Sequence, residues 1–282
     1  MKYLCVFLLT YFFIFTLAHA QKVRSKIIYG EDNRQEPYDV KSLLIQQASK
    51  TVAALIPSRA LNKINHRTFQ INSPSLFEKG YCYSERFSQQ PAPARCSGFL
   101  ITKDILVTAG HCLKSSSCSE HKWVFDFEGY YPGQNHFYVD ESSVYKCQKV
   151  IKRKLKDNGV DYAVIKLDRP VPNRIPLRLR FGGRFSKYEK FAAIGHPIGL
   201  PKKVTSEGRL RKRNRRYFTT NLDTYGGNSG SIVVGLKSKK IEGILVRGGE
   251  DFQHNGSCFE SNVVGENRGT GEEVVNIKQI FY

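Results

Sequence analysis

The chain is poor in methionine and tryptophan, with one of each in 282 residues, and it has far fewer acidic than basic side chains. It has 25 Asp and Glu and 44 Lys and Arg, which gives a formal net charge of +19. No long apolar run follows residue 17, so a bundle of membrane-spanning helices is not expected. Internal repeats, low-complexity tracts and zinc-ligand spacings are also missing. We therefore expect a packed globular protein without a metal or a cofactor.

The N-terminus is the one strongly apolar segment. Lys2 is followed by an apolar stretch from Tyr3 to Leu17 and then by Ala18-His19-Ala20. A basic start, a short apolar core and a small-x-small site are typical of a signal peptide. An uncleaved anchor is the alternative, but it needs about 20 apolar residues. The pattern predicts removal of residues 1–20 and a secreted or periplasmic location.

Seven cysteines are present, and Cys5 leaves with the signal peptide. The even number that remains indicates three disulfides in an exported chain, although many pairings are open. Cys96 and Cys112 flank one expected hairpin and are the best pair. The remaining cysteines then give a Cys118 to Cys147 pair around the next β-rich stretch and, by elimination, a Cys82 to Cys258 pair. Free thiols are the alternative.

Short apolar runs separated by polar turns dominate the chain, and helical periodicity is scarce. Residues 99–101 and 105–107 predict one hairpin, and residues 231–236 and 241–246 predict another. Many short strands of this kind indicate an all-β barrel or sandwich. The proline-rich stretch from Pro170 to Pro176 is stiff and extended, so we place a boundary between two lobes there.

Three chemically suggestive residues occur in the order His, Asp, Ser. His111 follows Thr108-Ala109-Gly110, Asp161 begins an apolar strand, and Ser229 lies in a glycine-rich turn. Each feature alone is ordinary, because histidines pack in cores, aspartates cap turns and Asn-Ser-Gly is a common turn. Together they match one of the chain orders in which a Ser-His-Asp triad is built.

Four segments carry a family resemblance: CSGFLITKDILVTAGHC, DYAVIKL, GHPIGLP and DTYGGNSGS. Together they resemble the trypsin-like (chymotrypsin-fold) serine protease superfamily over about residues 27–250. The forms GGNSGS and IIYGEDNR are nearer to the glutamyl endopeptidase-like branch. The resemblance implies an all-β fold with two six-stranded antiparallel β-barrels of the chymotrypsin type and an active site in the cleft between them.

The expected organisation is one two-barrel peptidase domain behind a signal peptide. Residues 21–80 are expected to lead into the first barrel. Residues 81–170 are expected to form the first barrel with His111 and Asp161, and residues 171–282 the second barrel with Ser229. These boundaries follow from the motifs and from the proline-rich connector.

The resemblance implies an exported serine endopeptidase that acts on polypeptides through an acyl-enzyme intermediate. His111 would take the proton of the Ser229 hydroxyl, and Asp161 would orient the imidazole. The backbone amides of Gly227 and Ser229 would bind the tetrahedral oxyanion. No small-molecule cofactor is implied, and the oligomeric state is left open.

The residue preference is a finer prediction. Asp223 lies six residues before Ser229, where trypsins carry the acid that selects Lys or Arg. With Leu245 and Gly248 it is expected to form the substrate pocket, which predicts cleavage after Lys or Arg. The alternative is that Asp223 only hydrogen-bonds the serine loop. Arg247, in the same strand as Leu245, would instead repel cationic peptides.

Asn228 departs from the family pattern, because trypsin-like zymogens carry an aspartate before the serine. An amide offers no charge to a newly made N-terminus. The segment Arg24-Ser25-Lys26 before Ile27 is therefore either an activation site without its usual ion pair or an ordinary linker.

The positive charge is concentrated in the run from Arg209 to Arg216, and Lys152, Arg153, Lys154 and Lys156 add a second cluster. Such clusters bind anionic surfaces or polymers, and a solvated basic face is the plainer interpretation. The alternative function is a protease-fold binding protein whose basic surface recognises anionic glycans, lipopolysaccharide or nucleic acid.

Overall fold

The computed structural model describes residues 28–113, 117–156, 159–248 and 251–282. The predicted signal peptide and the Arg24–Ile27 segment lie outside these ranges. No helix in the described residues is long and apolar enough to cross a membrane. The strands are β1 (Ile28–Tyr29), β2 (Val52–Pro57), β3 (Leu61–Lys63), β4 (Thr68–Ile71), β5 (Cys96–Leu100), β6 (Ile105–Thr108), β7 (His121–Val124), β8 (Tyr138–Asp140), β9 (Val144–Tyr145), β10 (Cys147–Lys156), β11 (Val160–Leu167), β12 (Lys190–Gly195), β13 (Lys203–Arg213), β14 (Tyr217–Thr220), β15 (Ile232–Gly235), β16 (Ile241–Arg247), β17 (Phe252–His254), β18 (Phe259–Ser261), β19 (Val263–Val264) and β20 (Glu272–Asn276).

Helical structure in these ranges is short, as the sequence predicts. The α-helices are α1 (Leu43–Lys50) and α2 (Ser117–Glu120). The 3-10 turns are Pro37–Asp39, Ser58–Ala60, Phe77–Lys79, Gly110–Cys112, Glu141–Ser143, Pro197–Gly199 and Ile277–Phe281. The strands form two main sheets and three small ones, so the predicted all-β class is confirmed.

The first main sheet has seven strands in the order β10-β11-β6-β5-β2-β7-β9. The hairpin of β5 and β6 is the one predicted around residues 102–104. Strand β6 also pairs antiparallel with β11, with Thr108 opposite Ala163. This register brings the turn after β6, which carries His111, next to the start of β11, which carries Asp161.

The first lobe is a sheet of seven strands that does not close, where the resemblance implied a closed barrel of six. It begins with β2 at Val52, inside the residues 21–80 that were expected to lead into the first barrel. All six residues of β2 are buried, and the strand pairs with β5 on one side and β7 on the other. A strand covered on both faces shows no alternation of apolar and polar residues, and β2 shows none.

The second main sheet is a closed barrel of six strands in the order β12-β13-β14-β20-β16-β15. It contains the predicted hairpin of β15 and β16. Phe185, Phe191 and Phe218 fill its interior with rings 4.9 to 5.1 Å apart between centroids. This barrel confirms the second half of the predicted fold.

A shared apolar core joins the two lobes. Buried Leu106 and Ile165 of the first sheet belong to the same cluster as Ile194, Val234 and Ile244 of the barrel. Burial of apolar surface of this extent is the main favourable term in folding. The cleft between the lobes is therefore held between two sheets that pack as one unit.

Three disulfides form, and their pairing is the predicted one. Cys96 bonds Cys112, Cys118 bonds Cys147, and Cys82 bonds Cys258. The first closes the β5–β6 hairpin beside His111. The last links residues 176 positions apart.

Candidate active site

His111 is placed by the 3-10 turn Gly110–Cys112, directly after β6. Gly110 is required there, because a Cβ atom would lie 2.5 Å from the backbone oxygen of Lys154 and 2.9 Å from that of Tyr162. The Cys96–Cys112 disulfide fixes the other side of the turn. The histidine backbone is thus held by packing that leaves no room for a side chain before it.

Asp161 accepts two hydrogen bonds from His111. The imidazole Nδ1 lies 2.7 Å from Oδ2, and the His111 amide donates to Oδ1 at 3.1 Å. Asp161 is 1% exposed, whereas the His111 side chain is 38% exposed. Burial raises the pKa of the Asp161 carboxyl, but the hydrogen bonds and charge of His111 outweigh it and lower the pKa below its ordinary value. The carboxylate is therefore ionised and oriented toward the imidazole.

Ser229 lies in a tight turn between Tyr225 and Ser231. The Asn228 amide donates to the Tyr225 oxygen at 3.0 Å, and the Gly230 amide donates to the Leu245 oxygen at 2.7 Å. His111, Asp161 and Ser229 all line one cavity of about 850 Å³. The structure thus brings the three predicted residues to one cavity.

The peptide groups before Ser229 are held from outside the turn. The Gly226 carbonyl accepts from the Ile198 amide at 2.5 Å, and the Gly227 carbonyl accepts from the Ser97 hydroxyl at 3.1 Å. Gly227 has a φ of +84°, which favours glycine. In the described chain, the amides of Gly227 and Ser229 donate to no protein acceptor.

Ser97 connects the two lobes at this point, and sequence reasoning missed it. Its hydroxyl also accepts from the His196 amide at 2.9 Å, and its own amide donates to the Ser229 oxygen at 2.8 Å. The Thr108 hydroxyl donates to the Ser97 oxygen at 2.7 Å. The only signal in the sequence was its place beside Cys96, which does not specify these contacts.

His196 lies beneath this turn and does not titrate near neutral pH. It is fully buried and stacks on Phe127, with ring centroids 5.7 Å apart. Burial lowers the pKa of the His196 imidazole to about 3. It supports the turn as a neutral ring.

Arg247 and Gly248 also line the cavity. The Arg247 guanidinium lies 3.3 Å from Glu273 and 3.8 Å from the Oδ2 atom of Asp161. Of the residues expected in the substrate pocket, Gly248 thus lines the cavity. Leu245 does not, because it is 3% exposed and packs in the barrel interior with Phe218.

Asp223 is also not part of the cavity, which corrects the predicted pocket. It is 1% exposed, and its two oxygens accept from the amides of Tyr29 at 2.8 Å and Asn33 at 3.0 Å. Burial raises its pKa to about 6, against the lowering effect of these hydrogen bonds. The carboxyl thus holds the N-terminal segment, whereas the alternative expectation was a hydrogen bond within the serine loop.

Asn228 is 5% exposed, and its side-chain oxygen accepts from the Ser231 hydroxyl at 3.2 Å. The amide therefore has a neutral partner within the turn.

One group of three potential metal ligands is found in the described residues, and it consists of Cys96, His111 and Cys112. Both cysteines are disulfide-bonded, and metal binding needs thiolates.

Comparisons with known proteins identify a family and a fold. Residues 96–244, more than half of the chain, match the family described as the trypsin-like peptidase domain. A Glu endopeptidase structure shares 14% identity at a TM-score of 0.50, over 90% of this chain and 95% of that one. A serine endoprotease structure from Yersinia pestis shares 14% identity at a TM-score of 0.49, over 84% of this chain and 62% of that one. At this identity the Glu endopeptidase likeness concerns the fold alone. No curated protein sequence matches the chain significantly.

Proposed function

The chain belongs to the trypsin-like peptidase family and is a serine-type endopeptidase, and we propose that His111, Asp161 and Ser229 are its catalytic triad. The observation that carries the proposal is the doubly hydrogen-bonded contact of Asp161 with His111 at the wall of the cavity that Ser229 also lines. A binding protein that does no chemistry would not need this contact.

The proposed reaction follows from the roles of these groups. The imidazole Nε2 of His111 takes the hydroxyl proton of Ser229 as the serine oxygen attacks the substrate carbonyl. The ionised Asp161 holds the proton on Nδ1 and stabilises the imidazolium that forms. The amides of Gly227 and Ser229 stabilise the oxyanion, and such a donor contributes about 10² to 10³ in rate. The imidazolium then protonates the leaving amine, and water hydrolyses the acyl-enzyme.

We also propose that the protein is exported to an oxidising compartment, secreted or periplasmic. The three disulfides support this, since such bonds persist outside reducing compartments. N-terminal sequencing of the exported protein tests it, and a start at residue 21 is the expected result.

Labelling with a fluorophosphonate probe tests the triad. We expect the wild type to be labelled and Ser229→Ala to be silent, while Ser257→Ala, which removes an exposed hydroxyl, labels normally. Asp161→Asn should lose about 10⁴ in kcat because the amide favours the wrong imidazole tautomer. Retained labelling in a folded Ser229→Ala protein would refute the mechanism. A peptide-library digest then identifies the residue that precedes the scissile bond.

A further inference from the structure

Five cations line a concave surface beside the active-site cleft, which we call the basic groove: Arg184, Arg213, Arg215, Arg216 and Lys278. They surround two adjoining cavities of about 550 and 590 Å³, which share Asn214, Arg215 and Lys278. Most of these cations are exposed. The surface is thus concave and not a flat patch.

The basic groove is continuous with the catalytic cavity. Arg213 and Asn214 line the 550 Å³ cavity on one side and the cavity of His111 and Ser229 on the other. Asn214 also lines the second groove cavity. The turn between β13 and β14 is therefore the ridge over which a chain in the cleft would pass into the groove.

The cations of the groove are not neutralised. In the part of the chain that the structure describes, none of the five forms an ion pair with a carboxylate. The acid that lines the groove, Glu242, is bound by Arg180 and by the Ser238 hydroxyl. A concave site lined by one sign of charge raises the local concentration of the opposite charge.

Hydrogen bonds hold the backbone of the turn between β13 and β14 before any ligand binds. The side-chain oxygen of Asn214 accepts from the amides of Arg216 at 2.7 Å and Tyr217 at 2.9 Å. Asn276 donates to the Asn214 backbone oxygen at 3.3 Å, and Gln279 donates to that of Arg215 at 3.1 Å. Because the backbone is fixed, ligand binding orders only side chains, which lowers its entropic cost.

A second basic element reaches the same groove from the first sheet. Lys152 of β10 donates to the backbone oxygen of Tyr282 at 3.0 Å, and Tyr282 lines the second groove cavity. The two basic clusters of the sequence, around Lys152 and around Arg213, are thus parts of one surface.

We propose that the basic groove is an exosite that binds an acidic segment of the polypeptide substrate while another segment of the same chain occupies the catalytic cavity. The proposal rests on the proposed function, because it takes the occupant of the cleft to be a polypeptide. Continuity with the cleft favours this occupant over a separate polyanion, since the substrate chain continues from one cavity into the other. Acidic side chains complement the unpaired cations.

Peptides with matched tails test the exosite. Three peptides share one cleavable core. The first carries five Asp and Glu residues on its N-terminal side, and the second carries them on its C-terminal side. The third carries a neutral Ser-Gly tail of equal length. We expect one acidic tail to raise kcat/KM about tenfold at low salt, from several weak ion pairs. The gain should vanish at about 1 M salt, because the Debye length is then about 3 Å and surface ion pairs are screened. No gain from either tail would overturn the proposal.

Variants locate the effect. Arg215→Glu with Arg216→Glu should abolish the ratio of acidic-tail to neutral-tail kcat/KM. Lys41→Glu with Lys50→Glu, an equal charge change at the exposed surface around α1, should keep it. An unchanged ratio in the first pair, or an equal loss in both, would show that net charge and not the groove is responsible.

A binding assay separates this proposal from the triad proposal. Fluorescence anisotropy of the acidic-tail peptide on Ser229→Ala protein needs no catalysis, so binding that depends on Arg215 and Arg216 supports the exosite even if the triad assignment fails. Saturable binding of a heparin oligosaccharide or single-stranded DNA, without binding of the acidic peptide, would refute the acidic substrate in favour of another polyanion.

Discussion

Asp223 allows a quantitative test of burial against hydrogen bonding at one carboxyl group. Burial raises its pKa from 3.8 to about 6 although the amides of Tyr29 and Asn33 donate to it. The folded state thus prefers the protonated carboxyl. Its stabilising contribution is fully present below pH 3.8 and is lost as the pH rises through 6. At 1.36 kcal/mol per pKa unit, the loss by pH 7 is about 3 kcal/mol.

The perturbation is Asp223→Asn, which cannot ionise and keeps a similar shape. It loses one of two acceptor oxygens, so one amide is left poorly satisfied at a cost of about 1 kcal/mol that does not change with pH. We therefore expect the free energy of unfolding of the wild type, minus that of Asp223→Asn, to fall by about 2.4 kcal/mol between pH 4 and pH 7.

Urea unfolding from pH 4 to pH 8 measures this difference, with both proteins in a Ser229→Ala background to prevent autolysis. The control is Asp39→Asn, a change at an exposed carboxyl, which should give a flat difference. If the difference for Asp223 rises with pH instead, the two amide hydrogen bonds outweigh burial and our reasoning is wrong.

Two further predictions concern the frame of the site. Loss of the hydroxyl in Ser97→Ala should lower kcat about fivefold with little change in KM, because the bond that holds the Gly227 carbonyl is worth about 1 kcal/mol. Thr102→Ala, which removes an exposed hydroxyl, is the control, and steady-state kinetics measure the effect. Replacing Cys82 and Cys258 together by serine opens a loop of 176 residues. The chain-entropy argument gives a loss of about 5 kcal/mol in the free energy of unfolding, and an unchanged urea midpoint would contradict it.

The candidate catalytic residues could be located from the sequence because their signals are local. The turn before His111 has no room for a Cβ at Gly110, and the turn at Ser229 has glycines with positive φ at Gly227 and Gly230. These signals lie within a few residues of His111 and Ser229, so the printed sequence carries them. The resemblance to a known family then supplied the relation between the two turns.

What depends on contacts between distant segments was not predictable in the same way. Strand β2 is buried along its whole length, so it lacks the alternation that identifies a half-buried strand. Ser97 acts through atoms of Gly227 and His196, which lie 130 and 99 positions away. The basic clusters at Lys152 and Arg213 come together only because the segment that ends at Tyr282 lies between them.

The position of Asp223 relative to the Ser229 motif did not predict where its side chain lies. Asp223 is six residues before Ser229 in the chain, but its side chain contacts Tyr29 and Asn33, which lie 194 and 190 positions away. A carboxylate whose two oxygens already accept amide hydrogen bonds is poorly placed to bind a cationic substrate side chain as well. Selectivity must then come from groups that line the catalytic cavity, and Arg247 is the charged group nearest to the triad there. We predict that an arginine in that position disfavours cationic substrate side chains and favours acidic ones, the same preference that we propose for the basic groove farther along the chain.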